Sequence, residues 1–475
     1  MNATLNKSLQ LMMTLATMLT GCTIGPNYQR PVLDLPMAYA PAATGATAAS
    51  TGSNWWSIFQ DPALDRVMDE ALANNLDLVV AAARVAEAQA QLGLARSDQN
   101  PTVYAGGSRE RNRNSSASGR SAPGQALDIT TNRVALNLSF EIDFWGKYRR
   151  ATEAARAALL SVEANRDAVR LSMAAQTVQG YFNLLALDAQ ILVAEEGIKR
   201  GREALAMQKK RFDAGVISEY EYEQRSGELD AGLAQLPPLQ NQRDKQERAL
   251  GILLGRSPRA VVDAKLYRSA TAMPSSPLVA PSGLPSELML NRPDLREAEQ
   301  KLIAANARIG VARAAYFPSI SLTGLLGTES SALGDLFSGP ARIWSFAGNL
   351  TQPLWGAGRL NNQTAAAEAR GDEALAQYKS AVANAFREVQ DAIGAQRAAR
   401  EVVELAQHRV ESLTKTWNLA KLRYEHGVAS QLDVIDAERG LLEAEQSRIE
   451  AERLLRFALA DLYKALGGSK DSPKV

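Results

Sequence analysis

This chain of 475 residues has one cysteine, Cys22, and only two histidines, His408 and His426. A single thiol excludes a disulfide framework, and so few soft or imidazole ligands argue against a zinc site built by the protein. Charge of neither sign prevails: 53 Lys and Arg face 52 Asp and Glu, so the basic footprint of a nucleic-acid binder is missing. Aromatic residues make up only 6%, and the longest apolar run, residues 9–19, is too short to cross a bilayer as a helix. A phosphate loop, a nucleophile elbow and a metal-ligand cluster are all lacking, which leaves an enzyme reading without support. Proline is missing between Pro123 and Pro237, and again between Pro353 and Pro473. Helices can run uninterrupted through both gaps.

What the chain does have is a long internal duplication. Asp77-Leu78, an Ala-rich amphipathic run and Pro101 return as Asp294-Leu295, a similar run and Pro318, at a constant offset of 217. Phe144-Trp145-Gly146 is echoed by Leu354-Trp355-Gly356 at an offset of 210. Arg211-Phe212-Asp213-Ala214-Gly215-Val216 is echoed by Arg423-Tyr424-Glu425-His426-Gly427-Val428 at 212. A repeated unit of this size suggests a pseudo-symmetric assembly rather than a solenoid of short modules.

The N-terminus carries a compartment signal. Residues 1–21 combine a short basic start, the apolar run and Leu19-Thr20-Gly21, with Cys22 directly after them. That pattern resembles a bacterial lipoprotein signal peptide, with Cys22 as the lipidation site; the alternative is an ordinary secretory signal beside a chance cysteine. Several acyl chains at about 0.8 kcal/mol per buried methylene would anchor the chain stably. Thr23 rather than Asp after the cysteine leans towards the outer membrane. Residues 22–60 read as an extended segment rich in Pro, Ala, Gly, Ser and Thr, docked at its end by Trp55, Trp56 and Phe59.

Two structural repeats follow, residues 61–270 and 281–468, and residues 469–475 form a tail. Apolar and alanine positions recur at helical spacing over 146–212 and 358–423. Some 65 residues at ~1.5 Å each predict helices on the order of 100 Å, several times the usual length. Shorter helices are expected over 76–97, 218–254, 294–315 and 430–466. Each repeat also contains a hairpin, about 102–144 and about 319–354. Val134, Leu136, Leu138, Phe140, Ile142 and Phe144 alternate with polar or small residues, a strong strand signal. Trp145 and Trp355 stand where each hairpin meets its long helix, placed either to anchor at a membrane interface or to pack the corner.

Strands of about ten residues with one apolar face suit a bilayer only inside a closed barrel. Four strands cannot close. Two chains would give eight with a filled interior, and three would give twelve around a lumen. A shared trimeric barrel accounts best for hairpins flanked by such long helices; a soluble sandwich edge does not.

With these elements placed, several segments resemble the outer membrane factor (TolC-like) family, and more narrowly its NodT/OprM-type efflux lipoproteins. They are Gly25-Pro26-Asn27-Tyr28, Phe140-Glu141-Ile142-Asp143-Phe144-Trp145-Gly146, Asn291-Arg292-Pro293-Asp294-Leu295, Phe317-Pro318-Ser319-Ile320 and Gly427-Val428-Ala429-Ser430-Gln431-Leu432-Asp433-Val434. The resemblance implies a mostly α-helical homotrimer that shares a 12-stranded outer-membrane β-barrel, four strands per chain, above a long periplasmic helical barrel. It implies no catalysis and no cofactor beyond the lipid on Cys22. The expected activity is that of the exit duct of a tripartite RND-type efflux system, working with a periplasmic adaptor and an inner-membrane transporter. A duct for type I protein secretion is the alternative, and a pore-less structural lipoprotein is a third reading.

The resemblance also implies a periplasmic gate in which Leu432 and Asp436 ring the aperture while Arg423 and Tyr424 help hold it shut. TolC-like channels carry an arginine two residues after the tip glycine; Ala429 stands there in this chain, so that bridge is not carried over. From the residues alone, both long helices end in a basic turn and a glycine, and new helices restart at Ser218 and Ser430. The two turns, with Gly215, Val216, Ser218, Gly427, Val428 and Ser430, are the expected adaptor-docking surface.

Overall fold

The computed structural model describes residues 23–34, 54–115, 127–263, 266–268 and 292–468. The signal residues 1–21, Cys22, residues 35–53 of the extended segment and the tail 469–475 lie outside the described residues.

Eight helices and four strands are described, and the two halves of the chain match in length. Helix α1 spans Pro62–Asn74 and α2 spans Leu76–Ser97. Strands β1 (Thr102–Arg113) and β2 (Asp128–Ile142) precede α3 (Lys147–Asp213), α4 (Glu219–Leu253) and the short α5 (Pro258–Asp263). The second half has α6 (Pro293–Ala314), β3 (Ser319–Ser330), β4 (Arg342–Thr351), α7 (Arg359–Glu425) and α8 (Gln431–Ala465). Helices α3 and α7 are 67 residues each, α4 and α8 are 35 each, and α2 and α6 are 22 each. Strand β2 begins at Asp128, ahead of the alternation that starts near Asn132. It ends at Ile142, so Phe144 falls in the corner before α3.

Helix α1 was not foreseen, although its start signal is plain. Asp61 caps it, accepting from the Ala63 amide at 2.8 Å and the Leu64 amide at 3.4 Å, with Pro62 in the first helical position. Helix α4 continues through Pro237 and Pro238, each of which removes a donor from the helical ladder.

The described residues divide into two units. The first comprises those of Met1–Val32, Val85–Val162 and Glu297–Tyr378, and holds the sheet. The second comprises those of Leu33–Arg84, Glu163–Arg296 and Lys379–Val475. Its core gathers Trp55, Trp56, Phe59, Leu64, Met68, Tyr181, Phe182, Leu250 and Tyr463, all buried. Trp55 stacks on Tyr463 with centroids 5.5 Å apart, and Phe59 meets Phe182 at 4.7 Å. The aromatic end of the extended segment is therefore docked. Arg292, just before α6, donates to the Ala465 carbonyl at 2.7 Å and pairs with Asp294 and Glu388, which satisfies an orphan acceptor at the end of α8. Among the described residues no helix is long and apolar enough to cross a membrane.

Candidate functional site

The four strands form one antiparallel sheet in the order β1-β2-β3-β4. Directly paired residues share a face, so the register sorts the side chains. One face stacks Ile142, Ile320 and Leu350, then Phe140 and Leu322, then Leu138, Val103 and Phe346, then Leu136, Leu326 and Trp344. The opposite face carries Glu141, Ser321 and Asn349, then Ser139, Thr102 and Thr323, then an Arg133–Glu329 ion pair. Leu326, Trp344, Phe346 and Leu350 are all exposed, an arrangement that water disfavours and lipid does not. From Ile142 to Val134 the apolar band runs about 26 Å along the strand, or about 20 Å across a membrane when the strands tilt by about 40°. Beyond Val134 the same face turns polar with Arg109, Arg111 and Arg113. The sequence alternation had located this face, and the register adds where it stops.

Residues 23–32 lie as a strap in the same unit. The Ile24 amide donates to the Trp145 carbonyl at 3.1 Å. Buried Arg150 donates to the carbonyls of Ile24 and Gly25 and to the Asn27 side chain, at 3.2, 3.3 and 2.7 Å. Gly25, at φ +102°, crosses Gly310 so closely that an added Cβ would lie 2.4 Å from the Gly310 Cα. Further along, Arg30 forms a bidentate pair with Glu299 at 2.6 Å, and Tyr28 donates to the same carboxylate at 3.1 Å. Burial, and then the Glu299 charge, push the Tyr28 hydroxyl well above its usual range, so it remains a neutral donor. Trp145 packs the corner. Its indole N–H donates to the Pro318 carbonyl at 2.8 Å, and its ring lies 4.8 Å from Phe317.

In the second unit, both long helices close with the same chemistry. The Val216 amide donates to the Arg211 carbonyl at 2.8 Å, and the Val428 amide to the Arg423 carbonyl at 2.9 Å. Gly215 and Gly427 take the left-handed conformation, φ +70° and +75°, that such a closure requires. Capping boxes then restart the chain. The Ser218 amide donates to Glu221 at 2.8 Å and the Ser430 amide to Asp433 at 2.7 Å, each answered by the serine oxygen. These bonds hold both carboxyls below their usual range: for Glu221 the Ser218 amide contributes most, for Asp433 the Ser430 hydroxyl.

The expected gate residues fall at these turns. Leu432, Val216 and Val428 are exposed. Tyr424 is half-buried and its hydroxyl accepts from Arg211 and, at 2.9 Å, from Gln208, so it joins the turn of one hairpin to the other. Arg423 instead donates to the Val428 carbonyl of its own turn at 3.5 Å. Asp436 is exposed, with Arg439 of its own helix 3.8 Å away.

Sequence reasoning missed an ion cluster a turn further in. Arg225 of α4 and Glu438 of α8 pair at 2.8 Å, with side chains only 7% and 10% exposed. Arg200 of α3 stands 3.9 Å from Glu438 and 3.8 Å from Glu445, and Arg439 pairs with Glu228. The cluster borders a cavity of about 260 Å³ lined also by Ile198, Leu229, Ile435 and Leu442. Its signal lay in the duplication. At the 212 offset, Arg225-Ser226-Gly227-Glu228 aligns with Ala437-Glu438-Arg439-Gly440, so each charge faces a small residue in the other copy.

An apolar-belted sheet with two open edges, on a chain built largely of paired long helices, defines one subunit of a membrane channel wall. Among the described residues no group of three or more His, Cys, Asp or Glu is arranged to hold a metal ion. A model of the outer membrane efflux protein family matches residues 67–256 and 284–468, and the chain belongs to that family. It is 33% identical over 458 residues to the cation efflux system protein CusC of Escherichia coli K12, covering 95% of this chain and 97% of CusC. To the toluene efflux pump outer membrane protein TtgC of Pseudomonas putida it is 32% identical over 474 residues, covering 98% and 96%. The structure superposes on the Campylobacter jejuni CmeC outer membrane channel with a TM-score of 0.91, at 30% identity and 96% coverage of both chains. This is the mostly helical TolC-like fold, whose four-stranded sheet per chain is that of the trimeric twelve-stranded barrel. The protein is the outer-membrane channel component of a tripartite RND-type efflux system, with a periplasmic helical domain, and it is not an enzyme.

Proposed function

We propose that three copies form a continuous duct, anchored by lipid on Cys22 as in the NodT/OprM-type branch, that passively conducts small molecules handed on by an inner-membrane transporter through a periplasmic adaptor. The observation that carries the reading is the sheet. One face carries an apolar band about 20 Å tall across the membrane, and the other is mostly polar, with Glu141, Ser139, Thr323, Asn137, Asn349 and an ion pair beside Leu325. Only a closed barrel with lipid outside and water inside satisfies both faces. The strap supports the anchor, because Thr23, the neighbour of Cys22, packs against Gly146 where β2 turns into α3.

The duct closes at the turns. Leu432 and Asp436 from three chains ring the aperture, with three carboxylates favouring cations and repelling one another. Arg423 and Tyr424 help hold the closed state, Tyr424 through its bonds to Arg211 and Gln208. Gly215, Val216, Ser218, Gly427, Val428 and Ser430 form the exposed rim that an adaptor grips. Substrate choice sits upstream of this chain. Relatives of near-equal identity carry the names of cation and toluene efflux systems, so identity to them selects neither class.

Conductance in planar bilayers tests the reading. Purified protein should open small, cation-selective channels, and Asp436→Ala should raise their conductance. A trimer that conducts nothing in either form would refute the duct; equal conductance in both would refute the gate.

A further inference from the structure

Charge on the sheet is sorted by face at one of its ends. All four strands join their helices at the end marked by Thr102, Ile142, Ser319 and Thr351. With the helical domain in the periplasm, the opposite end, at Arg113 and Asp128, points out of the cell. There, on the face that carries the apolar band, Arg342 stands level with Val134. Arg109 follows opposite Asn132, then Arg111 opposite Thr130 and Arg113 opposite Asp128. Trp344, 79% exposed, lies one same-face step below Arg342, an amphipathic ring at the edge of the band. At about 3.4 Å per residue and a tilt of about 40°, Arg109, Arg111 and Arg113 rise about 5, 10 and 16 Å above the top of the band. On the other face, the same rungs carry Ser108, Glu110 and Asn112, with Arg133 answered by Glu329. The alternation Arg-Glu-Arg-Asn-Arg over 109–113 therefore sends every cation of β1 to the lipid-facing side.

We infer that this arginine ladder binds the phosphorylated glycolipid of the outer leaflet, lipopolysaccharide, with Trp344 at its acyl boundary and the four arginines on its anionic head. The inference rests on the reading of the sheet as a barrel with lipid outside, and adds which lipid the outer rim selects. Nothing within the chain accounts for the ladder. Like charges two residues apart on one strand repel each other. Among the described residues their acidic partner is Asp128, 3.6 Å from Arg113 and 3.9 Å from Arg111, and exposed pairs of that kind contribute little. A lumen that attracted anions would carry its cations on the inner face, where Glu110 and Glu329 outnumber Arg133. The glycolipid head places phosphates at the acyl boundary and acidic sugars above them, so its negative charge is spread in depth as the ladder is. A phospholipid keeps its phosphate in one layer and would meet only the lowest rungs. Guanidinium groups suit the task, because they take phosphate and carboxylate oxygens two at a time, and their long stems let the charge reach away from the strand.

Lipid titration of the purified full-length protein, read by native mass spectrometry, tests the inference. The probes are lipopolysaccharide truncated to lipid A and its first acidic sugars, the same lipid after phosphatase treatment, phosphatidylglycerol, and inorganic phosphate as a competitor. The triple variant Arg109→Gln, Arg111→Gln, Arg113→Gln should bind the first probe about 100-fold more weakly than the wild type. Phosphatase treatment should remove most of that difference, and millimolar inorganic phosphate should not displace the lipid. The variant should keep its trimer mass and its conductance, because the ladder lies outside the lumen. In whole cells, a benzophenone amino acid at position 109 should label lipopolysaccharide, and one at position 110, on the opposite face, should not. Equal affinity of both proteins for the first probe, or equal labelling from 109 and 110, would overturn the inference. Phosphatidylglycerol bound as tightly as lipopolysaccharide, or displacement by inorganic phosphate, would overturn the choice of partner. Wild-type trimers that conduct but bind no lipopolysaccharide would sink the ladder's role and leave the duct intact. Chains that neither conduct nor exceed monomer mass would overturn both.

Discussion

Replacing Glu438 with alanine leaves the Arg225 guanidinium buried without a counter-charge, and the structure sets the scale of the effect. The pair is bonded at 2.8 Å between side chains 7% and 10% exposed, and Arg225 Nε already has no hydrogen-bond partner. One-sided loss of such a pair costs about 3–5 kcal/mol. The lower end applies here because Glu228 and Glu443 line the same cavity. Arg225→Ala should cost less, about 1–2 kcal/mol, because Arg200 stands 3.9 Å from Glu438 and is itself 27% exposed, so the carboxylate keeps a partner. At about 1.4 kcal/mol per decade, protection of α4 and α8 amides against hydrogen exchange should fall roughly 100-fold in Glu438→Ala and about tenfold in Arg225→Ala. The double variant Arg225→Met, Glu438→Leu replaces the charges with apolar volume and should recover most of the protection. Exchange read by mass spectrometry on peptides 219–235 and 431–446 checks the order. Equal protection in all four proteins, or a double variant as open as Glu438→Ala, would refute the claim that the loss comes from a buried charge left without its partner.

Two further outcomes follow from named contacts. Glu221 and Asp433 have folded pKa values below their ordinary 4.5 and 3.8, so the stability they lend is complete above those values and is lost as pH falls through the lower folded ones. Below about pH 4.5 the two turns should therefore open more often. Exchange of residues 212–222 and 424–434, corrected for intrinsic rate, should show this, and Glu221→Gln with Asp433→Asn, which leave no carboxyl to titrate at either cap, should abolish the pH dependence; an unchanged dependence would count against the caps as its source. At the strap, Gly310→Leu should displace residues 23–32, because a Cβ at Gly310 would lie 2.9 Å from the Ile24 carbonyl oxygen and 2.9 Å from the Arg150 side chain that holds the strap. Proteolysis of that segment should accelerate while the α4 and α8 amides keep their protection, and an unchanged cleavage rate would show the crossing to be dispensable.

Most of the fold was legible because the duplication doubles every weak signal. The proline gaps bounded α3 and α7, alternation located β2, and serine followed three residues later by an acid located both capping boxes. Helix α1 is announced only by Asp61-Pro62, a cap and first-turn signal that follows directly on the segment rich in Pro, Ala, Gly, Ser and Thr. The two tryptophans could not be separated by sequence. Trp145 and Trp355 share a context, yet Trp145 packs on Phe317 while Trp355 is exposed in the chain. The Tyr424 partnership was also out of reach, since Arg211 and Gln208 are more than 200 residues away and only packing of the two hairpins brings them together.

The buried charges show why the copies had to diverge. In two identical hairpins laid side by side, a charge on one would face the same charge on the other, and burial would make that repulsion severe. Placing Arg225 and Glu228 in one copy, and Glu438 and Arg439 at positions one residue out of step in the other, makes two attractive pairs instead. Small residues at the matching sites, Ala437 and Gly440 against Ser226 and Gly227, leave room for each long side chain to cross. The same logic gives Tyr424 a hydroxyl where its copy, Phe212, has none and stacks on Tyr222 instead, 5.4 Å away. Each difference is tolerable only because the other copy compensates for it, so the α3–α4 and α7–α8 hairpins cannot be exchanged. A ring of three such chains then alternates two unlike hairpins, and any opening of its tip has to part Arg225 from Glu438, or Arg211 from Tyr424, or carry both hairpins of a chain together.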